Sequence, residues 1–291
     1  MRRSFQFFQI DVFTDKPLSG NPLAVFPDAK GLNSHQMQKI AAEMNLSETT
    51  FVFPSTKPEA DFDVRIFTPG KEIPFGGHPT LGTAEVLKYL AGDFMPSLCF
   101  NMGVGNVPVE WENGFCFMQQ PEPEFSSPLP ETSLAAEALG LPLESLHATL
   151  PVQEVSTGFP ALMIPLKDIN SVKKIELNLH ALKKILRSLD LVYPFCIVSE
   201  NKDCQVHARS FAPFIGIPED PATGSVAGAL GAYLLHYGIL GKDSISISIE
   251  QGVEMGRASE IRVEAKRDGG VIGSIRVGGK SQIVIEGQLQ L

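Results

Sequence analysis

Arg65-Ile66-Phe67-Thr68-Pro69 and Arg209-Ser210-Phe211-Ala212-Pro213 share one pattern, R-x-F-[TA]-P, 144 residues apart in a chain of 291. Each is followed by a loop that contains proline and an acidic residue, then by Gly77-His78 or Gly224-Ser225, then by a run of helical length. The second loop is three residues longer. The runs that follow, 78–90 and 225–237, are small or apolar nearly all round. In the second, Val226, Ala227, Gly228, Ala229, Leu230 and Gly231 begin a stretch with no polar face. A helix of that kind is buried on every side, and its small residues suit a backbone closely wrapped by strands. A pentamer match alone arises easily by chance. Pentamer, loop and unusual helix in the same order, at about half the chain length, indicate an internal duplication. The expected fold is α+β: two similar domains, each a curved, mostly antiparallel, barrel-like sheet around a central helix, related by a pseudo-twofold axis.

The rest of the chain supplies the strands. Segments 5–13, 23–26, 49–53, 62–67, 107–111 and 115–119 are short, rich in Val, Phe or Ile, and bounded by Gly, Pro or Asn. Segment 245–249 alternates isoleucine and serine with period two, so one face is buried and one wet. Segments 261–265, 271–277 and 283–289 continue the pattern. Three further helices are expected, the last two of them surface helices. One is capped by Ser34, with Met37, Ile40, Ala41 and Met44 on one stripe; the others cover 132–139 and 178–189. The proline-containing stretch 120–129 reads as a linker. The expected domains are therefore 1–119 with 279–291, and 130–278.

Composition narrows the function. Hydrophobic residues make up 43% and charged residues 20%, as in a folded globular protein. The net charge of −9 argues against nonspecific binding to nucleic acid or to an anionic membrane. No apolar run approaches the ~20 residues of a membrane span. The N-terminus has Arg2 and Arg3 but no apolar signal core. Cys99, Cys116, Cys196 and Cys204 are scattered, with no paired spacing, so neither a metal cluster nor a disulfide framework is expected, and a cytoplasmic location fits.

The helix starts are where chemistry is expected. The first amides of a helix have no intrahelical partner and the dipole is positive there, so this end attracts an anion such as a carboxylate. Two facing domains would point two such ends, at Gly77 and Gly224, into one cleft. Taken singly, His78 also reads as a structural hydrogen-bonder, Thr223 or Ser225 as an N-cap, and Asp220 as a turn residue. Glu48 leaves a helix and enters an apolar strand. It is either a solvated helix-end acid or a carboxylate at the mouth of the domain, and the residues alone leave both open.

Gly20-Asn21-Pro22-Leu23-Ala24-Val25, Asn45-Leu46-Ser47-Glu48-Thr49, Phe75-Gly76-Gly77-His78-Pro79-Thr80-Leu81-Gly82 and Glu219-Asp220-Pro221-Ala222-Thr223-Gly224-Ser225 together resemble the PhzF, or phenazine biosynthesis-like, family. Gln251-Gly252 and Met255-Gly256-Arg257 fit the same resemblance, which spans essentially the whole chain in order. It implies the diaminopimelate epimerase fold, with the last strand returning to the first domain. It also implies a cofactor-free isomerase in which Glu48 moves a proton on a small carboxylate-bearing substrate. His78 and Asp220 would act with Glu48, while Gly77, Thr223, Gly224 and Ser225 would bind the substrate. A homodimer is implied by resemblance alone. Related amino-acid epimerases use two thiols, one before each central helix; here those turns carry Phe75-Gly76-Gly77 and Asp220-Pro221-Ala222, without cysteine. A two-thiol mechanism is accordingly disfavoured. The rival from another class is a noncatalytic small-molecule-binding or interaction protein on the same fold.

Overall fold

The computed structural model describes residues 3–92, 95–187 and 189–291. These divide into two units, one drawn from 1–119 with 278–291 and the other from 120–277.

The first unit contains β1 (Ser4–Val12), β2 (Asn21–Phe26), α1 (Ser34–Met44), β3 (Glu48–Pro54), β4 (Phe62–Phe67), β5 (Glu72–Ile73), α2 (Gly77–Ala91), β6 (Ser97–Met102), β7 (Gly105–Glu112) and β8 (Phe115–Gln120). The chain's last strand, Ser281–Gln290, pairs antiparallel with the whole of β1. Most neighbours are antiparallel, but β2 and β3 are parallel, as are β4 and β6. A parallel pair needs a crossover, and α1 and α2 supply these two. Helix α2 is buried from Gly77 through Ala84 and again at Val86 and Leu87. A Cβ at Gly82 would stand 2.7 Å from the side chains of both Leu23 and Val12, so the helix backbone lies directly against β1 and β2.

The second unit contains β9 (Glu124–Phe125), α3 (Ser133–Ala138), β10 (Gln153–Ser156), β11 (Pro160–Pro165), α4 (Ile169–Lys173), α5 (Leu179–Leu186), β12 (Val192–Cys196), β13 (Val206–Ala208), β14 (Ser210–Ala212), β15 (Ile217–Asp220), α6 (Gly224–His236), β16 (Ser244–Gln251), β17 (Ser259–Asp268) and β18 (Val271–Gly279). The order of the first unit recurs. Strands β11 and β12 are parallel across α4 and α5, and β13 and β16 are parallel across α6. Every residue of α6 except Ser225 and His236 is buried. A small second core forms where Ala135, Ala138 and Leu139 meet Leu182, Ile185 and Leu186 under β11 and β12.

The repeated pentamer has the same job in both units. Arg65 donates Nε and Nη2 to the two carboxylate oxygens of Glu72 on β5, at 2.7 and 2.6 Å. Arg209 does the same to Glu219 on β15, at 2.8 Å for both bonds. Each guanidinium also lies over the ring two residues on, 5.2 Å from Phe67 and 4.8 Å from Phe211. Each reaches a crossover helix as well: Arg65 bonds Ser34 Oγ, and Arg209 bonds the carbonyls of Val172 and Ile175. The motif thus fastens the hairpin before each central helix to the rest of its unit.

Some local details differ from the sequence expectation. The cap of α1 is Asn33, in a reciprocal capping box with Gln36, and Ser34 is the first helical residue. Helix α5 ends at Leu186; of the expected span 178–189, Ser188 lies outside the described residues. Strands β11 and β12 are buried along nearly their whole length, so they lack the period-two alternation of a half-exposed strand. Among the described residues, no helix is long and apolar enough to cross a membrane.

Candidate active site

In the first unit the sequence brings a carboxylate and an imidazole together. Helix α1 stops at Asn45, which takes the left-handed conformation at φ 53° and returns its N–H to Ala41 O. Three residues later Glu48 opens β3, opposite Leu23 of β2. His78 is the second residue of α2. Its Nε2 stands 3.1 Å from Glu48 Oε2, with side chains only 7% and 12% exposed. The two atoms approach without hydrogen-bond alignment, and neither has another hydrogen-bond partner among the described residues.

The pair is held from both sides. Thr83 Oγ1 donates to Pro79 O at 2.6 Å and contacts Thr50 Oγ1 at 2.8 Å, tying the first turns of α2 to β3. Thr80 returns both its N–H and its hydroxyl to Gly76 O. Gly76 is the N-cap and has no side chain to cap with, and Pro79 has no amide. The N–H groups of Gly77 and His78 therefore precede the first intrahelical bond, beside the Glu48–His78 pair.

In the second unit Asp220, Thr223, Gly224 and Ser225 come together at the start of α6. Thr223 donates its hydroxyl to Asp220 Oδ2 at 2.5 Å. The N-cap residue Thr223 makes no side-chain capping bond; the first intrahelical amide is that of Val226, so those of Gly224 and Ser225 precede it. Asp220 and Ser225 are half-buried. The structure thus groups Glu48, His78 and Gly77 in one unit, and Asp220, Thr223, Gly224 and Ser225 in the other.

Two supports of the second group were given no role in the sequence reading, although Gln251 was part of the resemblance. Gln251, fully buried, donates Nε2 to Asp220 O at 2.7 Å and to Thr223 Oγ1 at 3.0 Å. Its Oε1 accepts from Thr223 N and from the Tyr193 hydroxyl. Burial raises the Tyr193 phenol, with Asp220 adding to it, so this hydroxyl stays a donor. Gln120 donates to Gly224 O at 2.9 Å and accepts from Thr157. A signal for Gln251 was present: the buried positions 245, 247 and 249 extend by the same period to 251, placing an amide on an apolar face.

The thiols lie away from both helix starts, and their pKa values are raised. Cys99, Cys116, Cys196 and Cys204 are all free. Burial pushes Cys196 up to about 11 and Cys204 up to about 12, and it raises Cys99 and Cys116 as well. Among the described residues, no group of three or more His, Cys, Asp or Glu could hold a metal ion.

The family model for phenazine biosynthesis-like protein matches residues 10–287. A protein named as an uncharacterized isomerase, from Clostridium acetobutylicum, is 34% identical, covering 100% of both chains. The trans-2,3-dihydro-3-hydroxyanthranilate isomerase of Pseudomonas aeruginosa is 34% identical over 98% of this chain and 99% of its own. The crystal structure of a PhzF-family phenazine biosynthesis protein from Bacillus anthracis superposes with a TM-score of 0.90 at 28% identity, covering 99% of this chain and 100% of that one.

Proposed function

The chain belongs to the phenazine biosynthesis-like family and is an isomerase, and from that premise we propose that it moves a proton within a small carboxylate-bearing substrate, with Glu48 as general base and acid. The observation that carries the reading is the buried Glu48–His78 contact at 3.1 Å, whose facing atoms have no other hydrogen-bond partner among the described residues.

In this reading Glu48 takes a proton from a carbon next to an unsaturated or carboxyl-bearing centre. The electron pair left behind shifts through the unsaturated system, and Glu48 returns the proton at a second carbon. No atom is gained or lost, as isomerisation requires. His78 steadies the carboxylate in both protonation states and holds a substrate polar group. The substrate-binding donors are the Gly77 amide in the first unit and, in the second, the Gly224 amide and the Ser225 hydroxyl, since helix-start donors are fixed before the substrate arrives. Asp220, oriented by Thr223, accepts from a donor group on the substrate. General acid–base catalysis of this kind contributes roughly 10²–10⁴-fold, and orientation in a dry site supplies the remainder.

The substrate named for the Pseudomonas aeruginosa relative, trans-2,3-dihydro-3-hydroxyanthranilate, is the first compound to test, followed by other small unsaturated cyclic acids. Incubation in D₂O with NMR detection reads both product and solvent-derived deuterium. Conversion, or deuterium uptake at a substrate carbon, supports the proposal. Saturable binding with neither would favour a noncatalytic binding protein.

A further inference from the structure

His207 lies on β13, directly opposite Glu250 in the parallel pairing with β16, and is fully buried. Its Nδ1 stands 2.8 Å from Glu250 Oε2 and its Nε2 stands 2.9 Å from Glu254 Oε1. A neutral imidazole carries only one N–H, so a ring with both nitrogens on carboxylate oxygens calls for the doubly protonated form. Burial opposes that charge, but the hydrogen bonds and charges of the two glutamates outweigh it and push His207 up to about 9. Ser199 Oγ donates to the same oxygen of Glu250, at 2.7 Å. The other charges around this triad are themselves engaged. Lys173 on α4 pairs with Glu200, Arg209 with Glu219, Asp168 caps α4, and Glu260 on β17, opposite Glu250, accepts from Ser248.

The two glutamates bracket Gln251, the residue whose amide holds Asp220 O, Thr223 N and Thr223 Oγ1. The backbone between them turns at Gly252, φ 77°, where a Cβ would stand 2.5 Å from Pro221 O. Ser259 adds a hydrogen bond to Pro221 O at 2.9 Å. The loop from Asp220 to Thr223 therefore rests on the segment 251–259.

We propose that His207 is a positioning residue: by tying Glu250 to Glu254 across Gln251, it fixes the support on which Asp220 and Thr223 are set. The interest of the inference rests on the reading of Asp220 and Thr223 as site residues. Its test does not use turnover, so a failure of that reading would show separately, as an absence of conversion in the wild-type protein.

The test is amide hydrogen exchange read by mass spectrometry on the full chain, between pH 6 and 10, with rates corrected for intrinsic exchange. The peptide covering 217–227 reports on the loop, and the one covering 46–53 serves as reference. In the wild type, loop protection should hold to about pH 8 and fall roughly tenfold by pH 10 as the cation is lost. In His207→Gln the loop should be weakly protected at every pH, with the reference peptide unchanged. Glu254→Gln removes one of the two charges that hold the proton and should move the fall in loop protection to lower pH by about one unit. If His207→Gln fails to fold, the Glu254→Gln profile decides. Unchanged loop protection in His207→Gln, parallel loss in both peptides, or an unmoved profile in Glu254→Gln would each overturn the proposal.

Discussion

Glu48 and Leu191 stand at the same register position of the two units. Thr49 is paired with Phe67 of the first R-x-F-[TA]-P motif, and Val192 with Phe211 of the second. The residue before each is Glu48 in one unit and Leu191, buried at 4% exposure, in the other. The central helices differ in the matching way, since Gly77 is followed by His78 and Gly224 by Ser225. The duplication thus carries a carboxylate and an imidazole in one copy and a leucine and a hydroxyl in the other. An epimerase that removes a proton from one face and delivers another to the opposite face needs two acid–base groups. A carboxylate at only one of the two register positions agrees with the proposed isomerase, in which Glu48 both lifts and returns the proton.

Glu48→Gln should abolish conversion and deuterium uptake, a loss of at least about 10²–10⁴-fold in kcat. The amide keeps the size and hydrogen-bonding capacity of the carboxylate but cannot accept the proton. Binding of substrate measured by calorimetry, and the melting temperature, should change little. Turnover at the wild-type rate in this variant would remove Glu48 from the mechanism.

Thiol chemistry should be dispensable. Burial holds the cysteines in their protonated, weakly nucleophilic form, and none lies at the start of α2 or α6. A chain with all four cysteines replaced by Ala or Ser should keep its turnover, while melting lower from lost packing at buried Cys116 and Cys196. Loss of turnover on alkylation of a still-folded wild-type protein would contradict the carboxylate mechanism.

The two motif arginines should not be equivalent in stability. The Arg65–Glu72 pair is about one-third exposed, so Arg65→Ala should cost no more than about 1 kcal/mol. Arg209 and Glu219 are 10% and 17% exposed, and Arg209 also holds two carbonyls of the α4 region. Removing Arg209 strands a buried carboxylate together with those carbonyls, and should cost about 3–5 kcal/mol. Urea denaturation of the two variants measures the difference; equal costs would mean that the second motif is not the fastening described above.

The duplication was legible because it is written in residue types: an arginine that must pair, an aromatic it lies on, and a helix with no polar face. The residues alone marked Glu48 and His78 as candidates, but only the family resemblance gave them a shared role, because the 3.1 Å contact between residues thirty positions apart is a product of the fold. Strands β11 and β12 escaped because burial on both faces erases the alternation that marks a half-exposed strand. The supporting roles of Gln251 and His207 escaped for a related reason. A polar residue in an apolar strand announces itself only by being out of place, and its partners come from other elements.

The His207 triad should also shape stability against pH. Its folded pKa, about 9, lies above the unfolded value near 6.5. A raised pKa means that the folded state binds the proton more tightly, so the contribution is complete below about pH 6.5 and is lost as pH rises to about 9. The shift corresponds to a contribution on the order of 3 kcal/mol. Glu250 and Glu254 are lowered by the same contact, Glu250 chiefly through its hydrogen bond to His207 and Glu254 despite the burial that opposes it. Their contribution is present above the ordinary carboxylate range and is lost as pH falls through their depressed values. The three shifts describe one interaction and are not to be added. Urea unfolding at pH 6, 7.5 and 9.5 should therefore show a decline across the series in the wild type. His207→Leu removes the titrating group, and should flatten that part of the profile while leaving two buried carboxylates that lower stability at every pH. A wild-type decline that persists in full in His207→Leu would assign it to another group.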